Sequence, residues 1–148
     1  MNRKIALITG GSRGLGENMA LKIAEKGIDV IITYNIKENE ALNVVEKIKK
    51  IGSKSVAMRL NIGDIKTFNI FFDNLKKVLT ETFSTDHFDF LVNNAGIGMN
   101  VPFKDTTEEQ FDQLMNIQFK GVYFFTQKAM SYLNDNGSII NCKSLDLI

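Results

Sequence analysis

Short runs of apolar and β-branched residues alternate along the chain with longer segments of helical period. The runs are KIALIT (4–9), DVIITY (29–34), SVAMRL (55–60), FDFLVN (88–93) and SIINC (138–142). Their apolar residues fall on both faces, as in strands covered by helices on each side. The segments between them repeat at three and four residues. Leu15, Met19, Ala20, Ile23 and Ala24 share one face, and the pattern stops at Gly27. Ala41, Val44, Val45, Ile48 and Ile51 do the same and stop at Gly52. Phe68, Phe71, Phe72, Leu75, Val78 and Leu79 form a third stripe. Phe111, Leu114, Met115, Phe119, Val122, Phe125 and Ala129 form a fourth, longer one. Gly27 and Gly52 stand where a helix takes a left-handed C′ residue. Thr106 with Glu109, or Thr107 with Gln110, offers a capping box for the fourth helix.

The order β-α-β-α-β-α-β-α-β predicts a doubly wound, parallel α/β sheet of the Rossmann type, with about five strands. Length agrees with one domain, 1–148. There is no internal repeat or linker, and the single proline, Pro102, falls in the loop before the fourth helix.

Composition narrows the function classes. The formal charge is +1, which gives no electrostatic case for nucleic acid or an anionic membrane surface. One cysteine, Cys142, excludes an intramolecular disulfide and suits a reducing cytosol. No apolar run reaches the ~18 residues of a transmembrane helix, and the first strand is too short to serve as a signal segment. A cytoplasmic protein is expected. Cys142 reads as a core residue of the fifth strand, and His87, the only histidine, as part of a surface turn. A lone histidine makes no metal site, so no metal is expected.

The chemistry starts at TGGSRGLG (9–16), between the first strand and the first helix. Glycines at 10, 14 and 16 allow a tight turn, close approach of a ligand and close packing of helix on strand. The helix then offers free N–H groups and a partial positive charge to a phosphate. A phosphate loop of the mononucleotide type needs Lys and Ser/Thr after its last glycine. Glu17 and Asn18 follow Gly16, so that reading fails.

Thr followed by Gly-x-x-x-Gly-x-Gly, together with NNAG (93–96) ending the fourth strand, resembles the classical short-chain dehydrogenase/reductase family over about residues 3–146. The resemblance implies a nicotinamide dinucleotide. It implies Gly10, Ser12, Arg13, Gly14, Leu15 and Gly16 at the pyrophosphate, and Asn94, Ala95 and Gly96 near the nicotinamide-side ribose. Asn61 and Ile62 would border the adenine. Charge then discriminates between dinucleotides. NAD-users place a carboxylate at the tip of the second strand, but that tip is Thr33-Tyr34-Asn35, and Glu38 reads as the opening of the next helix. Arg13 and Lys37 would attract a 2′-phosphate, at roughly 1.5–3 kcal/mol for each charge-assisted hydrogen bond. NADP is therefore expected over NAD, with Asn35 at the ribose.

In the resembling family the fifth strand ends in a Ser that hydrogen-bonds the substrate carbonyl, and Ser144 holds that position. A Tyr-x-x-x-Lys pair then supplies the proton and binds the ribose. Here Tyr34, Tyr123 and Tyr132 are followed four residues on by Glu38, Gln127 and Asn136. The resemblance thus implies a dinucleotide-binding domain without the C-terminal catalytic and substrate-binding part, giving little or no turnover. The expected substrate is a small carbonyl or alcohol, and a homo-oligomer is expected only of a full-length form. A non-catalytic nucleotide-binding module or an unstable remnant remains the alternative. A methyltransferase is disfavoured, since NNAG and Ser144 would have no role in one. Gln118 replaces the family's Asn in the fourth helix. It reads either as part of a proton relay or as a satisfied buried amide. Met99 and Phe103 lie in the loop along which substrates pass in that family.

Overall fold

The structure is a computed structural model and describes residues 3–142. The strands are β1 (Ile5–Ile8), β2 (Asp29–Tyr34), β3 (Ser55–Arg59), β4 (Phe88–Asn93) and β5 (Leu133–Asn141). They form one parallel sheet in the order β3-β2-β1-β4-β5, as the alternating pattern requires. The helices are α1 (Gly14–Ala24), α2 (Glu38–Ile51), α3 (Phe68–Val78), α4 (Glu108–Met115) and α5 (Gly121–Ala129).

Each face of the sheet carries its own core. On one face Ile5, Leu7, Ile31 and Leu91 pack with the α3 stripe and with Phe125 of α5. The Phe125 ring lies 5.4 Å from Phe68, 5.4 Å from Phe71 and 5.0 Å from Phe72, centroid to centroid. On the other face Ala6, Ile8, Val30, Ile32 and Val92 meet Ala20 and Ala24 of α1 and Ala41, Val44, Val45 and Ile48 of α2. At the N-terminal end of the sheet two carboxylates align strands. Asp29 Oδ1 accepts the Lys54 N–H at 2.7 Å, and Asp89 Oδ2 accepts the Ile5 N–H at 2.8 Å.

The helix ends follow their local chemistry. Gly27 and Gly52 take φ of +77° and +99°, a conformation a Cβ would penalise. Thr107 and Gln110 form the capping box of α4, at 3.0 and 3.2 Å.

Three expectations need correction. Leu15 is not a core residue: it is 64% exposed, and α1 buries Gly16, Ala20 and Ala24 instead. Small residues let the helix axis approach the sheet, and Leu15 is turned away by one helical step. The fourth helix runs unbroken over residues 108–129 but does not keep one period. A π-helical turn, Asn116–Lys120, separates α4 from α5 and breaks the phase of the stripe. Phe119, within that turn, is exposed, as is Phe111 ahead of it, while Leu114, Phe125 and Ala129 are buried. Finally, β5 is not covered on both faces by described residues. Ile139 and Ile140 are exposed, and Cys142 is half-buried at the strand's end against the α1–α2 core. His87 lies in the expected turn, with Nδ1 2.6 Å from Asp86 Oδ1. No helix among the described residues is long and apolar enough to cross a membrane.

Candidate dinucleotide site

The sheet order reverses direction between β1 and β4, which leaves a crevice beyond their carboxyl ends. The turn after β1 forms its floor. Gly10 has φ of +67° and Gly14 φ of +57°, so the backbone bends where side chains would be strained. A Cβ on Gly10 would stand 2.8 Å from Ala95 Cα, and one on Gly16 would overlap the Gly10 carbonyl. The turn is thus pressed against the start of α1 and the end of β4, with no room for side chains between.

Two threonines hold this shape, and neither has a role legible in the sequence motifs. Thr33 Oγ1 accepts the Gly10 N–H at 3.1 Å, and the Thr33 carbonyl accepts the Gly11 N–H at 2.9 Å. Thr9 Oγ1 accepts the N–H groups of both Asn94 and Ala95, each at 3.0 Å. The Asn94 amide returns two bonds, donating to the carbonyls of Thr9 and Gly10 at 3.1 and 3.0 Å. Asn93, fully buried, donates to Thr126 Oγ1 at 2.9 Å and Asn141 Oδ1 at 2.8 Å, tying β4 to α5 and β5. The only signal for these threonines in the sequence is their place near strand ends, Thr9 directly before Gly10 and Thr33 one residue before the end of β2.

The crevice measures about 510 Å³. Gly10, Ser12, Arg13, Gly14, Leu15 and Gly16 line one side, Asn94, Ala95 and Gly96 another, and Asn35, Asn61 and Ile62 the rest. Every dinucleotide-site residue named from the sequence therefore faces one space. Thr33, Tyr34, Ile36, Lys37, Leu60, Ile97 and Ile117 join them. Ser144 lies outside the described residues. A family model for short chain dehydrogenase matches residues 4–146.

The chain belongs to the short chain dehydrogenase family.

Two curated relatives illustrate the kinship. The hydroxynaphthalene reductase-like protein Arp2 of Metarhizium brunneum is 32% identical over 142 residues, covering 96% of this chain and 51% of its own. The tetrahydroxynaphthalene reductase PfmaG of Pestalotiopsis fici is 32% identical over 142 residues, covering 96% and 49%. Among solved structures, the landomycin C-6 ketoreductase LanV, holding NADP and rabelomycin, superposes with a TM-score of 0.89 at 34% identity. That match covers 93% of this chain and 56% of LanV. The chain spans about half the length of the relatives it matches.

The crevice has a polar rim with a definite charge arrangement. Arg13, the residue before α1, is exposed and makes no side-chain cap hydrogen bond. Glu17 in the first turn of α1 is paired with Lys47 at 2.7 Å, so its charge is partly neutralised beside the helix N-terminus. Lys37 lies 4.0 Å from Glu40 and lines the crevice. Glu38 opens α2, as expected, and its carboxylate accepts the Tyr34 hydroxyl at 2.8 Å. Burial raises the Tyr34 pKa above the ordinary phenol value, and the hydrogen bond to Glu38 and its charge add to that. Asn61 Oδ1 accepts the Gly63 N–H at 3.0 Å, leaving one lone pair for a ligand donor. Gln118 sits in the π-helical turn and donates to the Ile97 carbonyl at 2.9 Å. Among the described residues no group of three or more His, Cys, Asp or Glu is placed to hold a metal.

Proposed function

We propose that this chain binds NADP in the crevice between β1 and β4, as the dinucleotide-binding part of a short-chain reductase acting on a small carbonyl or alcohol. The observation that carries the reading is the glycine turn. Its positive-φ glycines and closed Cβ positions put backbone against the crevice, and α1 begins there with no side-chain cap. Backbone amides at such a point suit a diphosphate, whose charge the helix dipole favours.

The remaining residues fit the rest of the ligand. Arg13, before α1, and Lys37, just past β2, both line the space, and no carboxylate among the described residues does. That favours the 2′-phosphate of NADP, whose charge a carboxylate would repel. LanV, which holds NADP, supports the same choice. Asn35 would meet the ribose, Asn61 and Ile62 the adenine, and Asn94, Ala95 and Gly96 the nicotinamide half. When bound, NADPH supplies a hydride to a carbonyl carbon. Ser144 would donate a hydrogen bond to the substrate oxygen, polarising the carbonyl. A serine hydroxyl is too weak an acid at neutral pH to supply the proton as well, and general acids contribute roughly 10²–10⁴-fold. Since none of the three tyrosines is followed by Lys at four residues, dinucleotide binding is the property to measure in this chain, with little turnover expected. We place it in the cytoplasm.

The test is a fluorescence titration of the chain with NADPH and NADH, followed by an assay of NADPH oxidation with small ketones. Saturable binding with NADPH preferred supports the proposal. Binding of neither nucleotide overturns it.

A further inference from the structure

Tyr34 and Glu38 form a contact that dinucleotide binding alone does not explain. Tyr34 ends β2, and its half-buried ring packs against the α1–α2 core. The ring is therefore held, and its hydroxyl is a fixed donor. It donates to Glu38 Oε1 at 2.8 Å. Tyr34, Asn35, Ile36 and Lys37 all line the crevice, whereas Glu38 does not. Yet Glu38 follows Lys37 directly and is the first residue of α2.

An acid in the first turn of a helix is favourable for the helix. The same acid beside a 2′-phosphate site would be unfavourable, because two anions would lie close together. A freed carboxylate there would also find ribose hydroxyls to accept from, as the acid of NAD-binding sites does. Both effects would push selectivity toward NADH. The Tyr34 hydroxyl engages that carboxylate at 2.8 Å, and Glu38 is not among the residues that line the crevice.

We propose that Tyr34 is a positioning residue for dinucleotide selectivity, holding the Glu38 carboxylate away from the site of the 2′-phosphate. This rests on the NADP reading above. Tyr34 acts through Glu38 rather than through the ligand, so its effect must vanish when Glu38 carries no charge. Tyr34→Phe removes one oxygen and leaves the packed ring in place.

The experiment measures NADPH and NADH dissociation constants by fluorescence for the wild-type chain, Tyr34→Phe, Glu38→Gln and the double variant. Thermal melts of each establish that it is folded. Tyr34→Phe should lower the NADPH-over-NADH selectivity about five- to ten-fold. In the Glu38→Gln background the same substitution should leave selectivity unchanged within about two-fold. Glu38→Gln alone should leave selectivity at or above the wild-type value, a result that stands even if Tyr34→Phe fails to fold. An unchanged ratio in Tyr34→Phe overturns the inference, as does equal weakening of both nucleotides, equal loss in both backgrounds, or a fall in Glu38→Gln. Failure of the wild-type chain to bind either nucleotide overturns the site reading beneath it. Wild-type preference for NADPH with no dependence on Tyr34 overturns this inference alone.

Discussion

Gly96 and Gln118 are matched in size, and the match can be broken and repaired. A Cβ on Gly96 would stand 2.7 Å from Gln118 Oε1 and 3.3 Å from its Cδ and Nε2. Gly96 has no left-handed φ, so the penalty of Gly96→Ala is steric alone. The clashing atoms are the end of a flexible side chain, which will swing away. Doing so breaks the bond from Gln118 Nε2 to the Ile97 carbonyl, now 2.9 Å. A lost hydrogen bond with its acceptor left partly buried costs about 1–3 kcal/mol, and residual crowding adds little because the clashing atoms end a flexible side chain. We therefore expect a loss of about 2–3 kcal/mol, or about 5–10 °C in Tm for a chain of this size. Gln118→Asn withdraws the amide by one methylene and should itself destabilise the chain by about 1 kcal/mol. The double variant should be more stable than the sum predicts, with a coupling of about 1–2 kcal/mol. Urea melts of the four proteins, read by circular dichroism, supply the cycle. Additive losses, or a Gly96→Ala chain as stable as wild type, would refute the reasoning.

Further outcomes follow from the same geometry. Gly10→Ala meets backbone rather than a mobile side chain, at 2.8 Å, and requires φ of +67°; it should cost at least about 3 kcal/mol and abolish NADPH binding, and a normal melting curve would count against the close packing of the turn. Thr9→Val keeps the side-chain shape but removes the acceptor of two N–H groups. It should cost about 2–4 kcal/mol and speed amide exchange at Asn94 and Ala95; unaltered exchange there would show the clasp to be unimportant. Arg13→Ala should weaken NADPH about ten-fold with little effect on NADH, and the difference should shrink at high salt. Equal weakening of both nucleotides would remove Arg13 from any role in selectivity.

Much of the fold is legible in the pattern because the pattern is its cause. Strands buried on both faces must be apolar throughout, and Ala6, Leu7, Val30 and Ile31 are. Helices that cover them must carry one apolar stripe, and α2 and α3 do. The glycine turn and NNAG are equally visible, since a backbone that must approach closely excludes side chains in any context. The π-helical turn at Asn116–Lys120 leaves no such trace. It preserves the local composition of a helix and alters only the phase, so Phe119 reads as core and is exposed.

Residue order alone determined the parallel α/β architecture, the position of the bend after β1 and the lack of an acid at the β2 tip. These depend on local period, on glycine and on charge, which need no knowledge of distant neighbours. Only tertiary structure decided that Thr9 and Thr33 hold that bend, that Leu15 is turned out of the core, and that Tyr34 hydrogen-bonds Glu38. Those outcomes rest on hydrogen bonds and contacts between strand ends and helix starts, and their directions are set when the sheet and helices pack together.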